Sequence, residues 1–143
     1  MQTLCRWASL VLFALVGGFL VWFGFTYATV QEMLWFHAAA LPESARAAAS
    51  PLYFALMTLI GAASAALGLL SLYVAAAHVR RRARGAASAL VLVNAIVFGA
   101  AAITAEELAA ATGSPTSWHI MGALMGVTLL AFFLHAIAGA RPR

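Results

Sequence analysis

Four apolar runs, at 7–27, 52–77, 86–104 and 117–138, divide this chain of 143 residues, and the charges fall between them sorted by sign. Each run reaches about the 20 residues that an α-helix needs to cross a hydrocarbon core roughly 30 Å thick. Four crossings return both ends to one side. That side collects Arg6, Arg80, Arg81, Arg82, Arg84, Arg141 and Arg143, while Glu32, Glu43, Glu106 and Glu107 gather on the other with Arg46. Arginine in short loops stays cytoplasmic, so both termini are expected in the cytoplasm. The expected fold is all-α: an integral membrane four-helix bundle of two antiparallel hairpins. With 65% hydrophobic and 8% charged residues there is no room for a soluble domain, and 1–143 reads as a single transmembrane domain.

The net charge of +4 would point to nucleic acid in a soluble protein. Here the headgroups of the cytoplasmic leaflet account for it, so no nucleic-acid partner is expected. A lone cysteine, Cys5, excludes an internal disulfide and paired-thiol redox chemistry. The first apolar run exceeds the 7–15 residues usual for a signal peptide and lacks a clean small-x-small cleavage signal, which predicts a retained first helix. Arg at every basic position, no Asp and abundant Ala fit a GC-rich bacterial genome, hence a bacterial inner membrane.

Between the first two runs, TVQEMLWFHAAALPESARAAAS is too polar to span and too apolar for a free loop. It predicts a short outer interfacial helix, with Met33, Leu34, Trp35 and Phe36 sunk in the interface and Pro42 ending it. Ser50-Pro51 and Ser114-Pro115 each precede an inward-running span and read as helix starts, Ser as cap and Pro in the first turn. The cytoplasmic turn HVRRRARGAAS is short, which predicts antiparallel packing of the second and third spans.

Lipid offers no hydrophobic force between helices, so they associate through small residues and interhelical hydrogen bonds. Ser50, Tyr53, Met57, Gly61, Ser64, Gly68, Ser71, Ala75 and His78 recur every three or four residues and share one face of the second span. Gly61, Ser64 and Gly68 are the expected packing positions there, and Gly122 and Gly126 those of the fourth span, within the bundle or in a homo-oligomer. Asn94, in the middle of the third span, needs a partner in hydrocarbon: an interhelical hydrogen bond, or a polar contact with a small lipophilic ligand among Ser64, Asn94 and Thr128.

Four histidines raise haem b or a divalent metal as the alternative to no cofactor. His37 and His119 belong to the outer side, His78 and His135 to the inner, as in a two-haem membrane cytochrome. His119 and His135, 16 residues apart, point roughly 160° away from each other, so one straight helix cannot aim both inward. His119 shares a face with Gly122 and Gly126 and is the expected inward one. With His37 and the carboxylates Glu106 and Glu107 it has the donor types of a zinc or iron site, but no motif spacing. No acid lies inside a span, which argues against a proton-coupled exporter. No Ser–His pairing or glycine-rich phosphate loop is present.

An outer H-x-x-x-L-P-E stretch from His37 to Glu43, P-L-Y-F at Pro51 to Phe54, an Arg-rich inner turn and T-G-S-P-T-S-W before the last span resemble small bacterial four-helix membrane proteins. In general architecture the chain is similar to the DoxX-like group. That resemblance implies a fold and transfers no catalytic residue. The reading that follows is a small inner-membrane protein without catalysis, an accessory or assembly subunit or a scaffold for partner helices. A redox protein using His119 and His37, and a binder of a small lipophilic molecule, stand as alternatives.

Overall fold

The computed structural model describes residues 2–139, so Arg141 and Arg143 lie outside the described residues. The elements are α1 (Gln2–Ala28), a five-residue α2 (Trp35–Ala39), α3 (Glu43–Val74) continued by a π-helical turn (Ala75–Val79), α4 (Ala86–Thr112) and α5 (His119–Gly139). There is no strand among the described residues. Four helices, with the π turn counted into α3, are long and apolar enough to cross a membrane, as in a multi-pass membrane protein.

The helices do not end where the apolar runs do, and α1, α3 and α4 extend beyond them because helix propensity reaches past lipid-like composition. α3 begins at Glu43, not at Ser50-Pro51 as expected: Pro42 takes the cap position, Glu43 complements the helix dipole, and the Ala-rich residues 45–49 propagate the helix. Pro51 therefore sits inside α3, where it removes one backbone donor without breaking the helix. α4 runs through Glu106 and Glu107 to Thr112 and stops at Gly113, whose φ of 68° is the left-handed conformation that closes a helix; its N–H reaches the Ala109 carbonyl at 2.9 Å. Ser114-Pro115 does not start α5 either. Those residues form a loop, and α5 begins at His119.

α3 docks on α1, α1 on α5, and α5 on α4, whereas α3 meets α4 chiefly at the Arg-rich end, through its π-helical continuation. The expected packing of the second and third spans is thus narrow, with Ala75 and Val79 against Ala87 and Leu90. A short turn joins the helix ends, but faces decide the partner, and the small face of α3 finds its match on α1. Gly17 and Gly24 are seven residues apart, as are Gly61 and Gly68, so two antiparallel helices bring Gly24 to Gly61 and Gly17 to Gly68 in register. A Cβ on Gly24 would lie 2.5 Å from the Gly61 carbonyl oxygen, and one on Gly68 2.7 Å from the Gly17 carbonyl oxygen. Backbones this close gain dispersion over the whole crossing, which is what holds helices together in lipid. By contrast, a Cβ on Gly126 would meet nothing within 4 Å, and one on Gly122 would meet only the Trp118 ring one turn back.

Two apolar clusters fill the core. Phe13, Ala75, Val79, Ala87, Leu90 and Ala131 form the one toward the Arg-rich turn; Val16, Leu20 and Phe98, with Leu67 and Leu124 against them, form the other.

Candidate functional site

At the Glu-bearing end, α2 is tied down by two side chains from elsewhere. The Tyr53 hydroxyl of α3 accepts a hydrogen bond from the Leu34 N–H (3.2 Å) and lies 2.9 Å from His37 Nδ1. With the imidazole neutral and protonated at Nε2, the phenol can donate its proton to Nδ1 while it accepts the Leu34 N–H. Burial lowers the His37 pKa below its ordinary value, which favours that neutral form. The ring also stands edge-on to Tyr27 at 6.3 Å and to Tyr53 at 5.5 Å, at the end of an aromatic row along α1 made by Phe19, Phe23 and Tyr27. From the other side, Ser114 Oγ, in a residue only 4% exposed, donates to the Phe36 carbonyl at 2.6 Å. The Ser-Pro pair expected to start a helix is therefore the clamp between α2 and the α4–α5 loop.

The four groups considered for a metal or haem are not gathered. His37 is engaged by Tyr53; His119 is exposed, stacked on Trp118 at 4.6 Å and bonded to Ser117 Oγ at 3.0 Å. The expectation that His119 faces inward is reversed, because its glycine companion Gly126 is itself on the exposed side of α5. Glu106 Oε1 accepts the Trp118 N–H at 3.0 Å, so a carboxylate of α4 caps the first turn of α5 and meets its positive dipole end. Glu107 is exposed. Among the described residues no three His, Cys, Asp or Glu side chains come together as a metal site.

Between the two apolar clusters lies a polar layer. Asn94 and Thr128 are 1% and 0% exposed, and Asn94 Nδ2 donates to Thr128 Oγ1 across a long 3.4 Å. Thr128 in turn donates to the Leu124 carbonyl at 2.9 Å. Asn94 Oδ1 and the hydroxyl of buried Ser71 have no hydrogen-bond partner among the described residues. On its own helix each layer residue separates the clusters: Leu67, Ser71, Ala75 on α3; Phe98, Asn94, Leu90 on α4; Leu124, Thr128, Ala131 on α5. Ser64, the third residue considered for a ligand, is half-buried on α3 and bonds to neither. Sequence reasoning passed over Ser71 as one of a stripe, although its place one turn from Leu67 and Ala75 marks the layer.

At the Arg-rich end, arginines close helix termini. Arg6 Nη2 donates to the Arg80 carbonyl at 3.0 Å, just past the π turn, and Arg82 donates to the Ala138 carbonyl near the end of α5. Cations at helix C-termini complement the negative dipole ends. Arg82 reaches its position with a φ of 57°. His78 is exposed beside Tyr73, and His135 is half-buried on α5.

No protein-family profile, curated protein sequence or solved structure matches this chain.

Proposed function

We propose that the chain is a small multi-pass protein of a bacterial inner membrane, with both ends cytoplasmic and its helices paired as two antiparallel hairpins. It acts without catalysis, as an accessory or assembly subunit or a scaffold for partner helices. One observation supports this reading: several of the polar side chains that could carry chemistry are bound into the structure itself. His37 is held by Tyr53, Glu106 caps α5, Asn94 reaches Thr128, Ser114 clamps α2, and Arg6 and Arg82 close helix ends. Such groups position helices rather than a substrate. The loosely joined α3 and α4 leave lateral surface to lipid or to other membrane helices.

An absorption spectrum and metal analysis of the protein purified in mild detergent test this against the redox alternative. The account expects a colourless, metal-free sample that co-purifies with other membrane proteins after crosslinking in cells. A Soret band, or stoichiometric metal lost on changing His37 or His119 to Ala, would overturn it.

A further inference from the structure

Of the close glycine contacts between α1 and α3, that of Gly17 with Gly68 lies nearer the Arg-rich end, and beyond it the two helices carry Leu10, Val11, Leu72 and Ala76. The result is an open groove of about 380 Å³, lined by Trp7, Leu10 and Val11 of α1 and by Leu72, Ala76 and Arg80 of α3 and its continuation. Its walls are hydrocarbon except at one end. There Arg80 is exposed at the mouth, Arg6 is fastened to the Arg80 carbonyl, and exposed Arg81 and Arg84 follow in the same turn. No acidic side chain pairs with any of them among the described residues; the four glutamates belong to the segments at the opposite end of the molecule. Trp7, more than half exposed, lies along the groove, and Trp is at home where acyl chains meet headgroups. An apolar trough ending in uncompensated guanidiniums matches one chemistry, an acyl chain attached to a phosphate.

We propose that this groove binds one anionic phospholipid of the cytoplasmic leaflet, its acyl chain along Trp7, Val11 and Leu72 and its phosphate on Arg80. The site differs from the ligand position considered at Ser64, Asn94 and Thr128, and it rests on the reading that the four helices span a membrane. The test reconstitutes the full chain in nanodiscs of phosphatidylcholine with a minor fraction of phosphatidylglycerol and counts retained lipids by native mass spectrometry. One phosphatidylglycerol per chain is expected to outlast phosphatidylcholine. Arg80→Gln should reduce that preference about fivefold, the effect of one arginine near a charged surface. Ala76→Trp, at an exposed position, should displace the lipid by filling the groove, with helix content unchanged. Arg84→Gln removes the same charge outside the groove and should retain the lipid. Equal loss from Arg84→Gln and Arg80→Gln would replace the site by diffuse surface attraction and overturn the proposal. So would retention of phosphatidylglycerol by the Ala76→Trp variant, or its displacement by inorganic phosphate alone. A chain that fails to enter the nanodisc would overturn the membrane reading as well, which separates the two failures.

Discussion

Gly61→Ala adds a single methyl group at the α1–α3 crossing, and the structure sets what it meets. The new Cβ would stand 2.5 Å from the Gly24 carbonyl oxygen and closer still to the Ala28 nitrogen. Both are backbone atoms of the facing helix and cannot rotate away. Restoring an ordinary contact of 3.4 Å requires the helices to part by roughly 1 Å, and a gap of that size forfeits about a quarter to a half of each dispersion contact along the crossing. Overpacking of this kind costs about 1–3 kcal/mol. Against it stands the better helix propensity of Ala, up to about 1 kcal/mol. The expected net loss is about 0–2 kcal/mol, the difference of those two effects, and about 1–3 kcal/mol relative to a control that keeps only the propensity gain. Gly18→Ala supplies the control, since a Cβ there meets nothing within 4 Å and only the propensity gain remains. The pair Gly24→Ala and Gly61→Ala should cost less together than the sum of the single changes, because either one already parts the same helices. Reversible unfolding in mixed micelles, with free energies extrapolated to zero denaturing detergent, reads all four variants. Equal stability of Gly61→Ala and Gly18→Ala would refute the close-crossing argument.

The remaining expectations concern the polar contacts. Burial depresses the His37 pKa, so as pH falls through about 6.5 the unfolded chain binds a proton before the folded one does, and stability drops until the lowered folded value is passed. A pH series of melting temperatures should show this decline for the native protein and a flatter profile for His37→Gln; parallel profiles would exclude His37 as the source. Tyr53→Phe should cost about 1 kcal/mol by orphaning the Leu34 N–H and His37 Nδ1, and faster proteolysis within 29–42 than within 80–85 would locate the loosening at α2. Thr128→Val conserves shape and removes the acceptor of Asn94, so a loss on the order of 1 kcal/mol is expected in thermal denaturation; no loss would mean that the 3.4 Å contact contributes nothing.

The four long helices were legible because each apolar run is uninterrupted and long enough to span. Their ends were not. Residues 45–49 and 105–112 are helical by Ala and Glu propensity, which a search for lipid-like composition does not register. The buried face of α3 at Gly61 and Gly68 followed from spacing, but its partner required matching two seven-residue intervals on different helices, Gly17 to Gly24 and Gly61 to Gly68. His119 was misplaced by the assumption that glycines mark the interior; on α5 the Gly126 face is exposed. The Tyr53–His37 latch and the Ser114 clamp join residues 16 and 78 positions apart, and no local pattern announces such contacts.

The central claim is a chain of four spans with seven of the eight arginines inside and the glutamates outside with Arg46. Single cysteines at Ser44 and at Arg81, in a Cys5→Ser background, test it with a membrane-impermeant maleimide applied to intact spheroplasts and then to permeabilised ones. Both positions are exposed in the structure, so burial within the protein does not mask either. The account predicts that the thiol at 44 is labelled in intact spheroplasts and the thiol at 81 only after permeabilisation. Labelling of the thiol at 81 in intact spheroplasts, with the one at 44 protected, would contradict it.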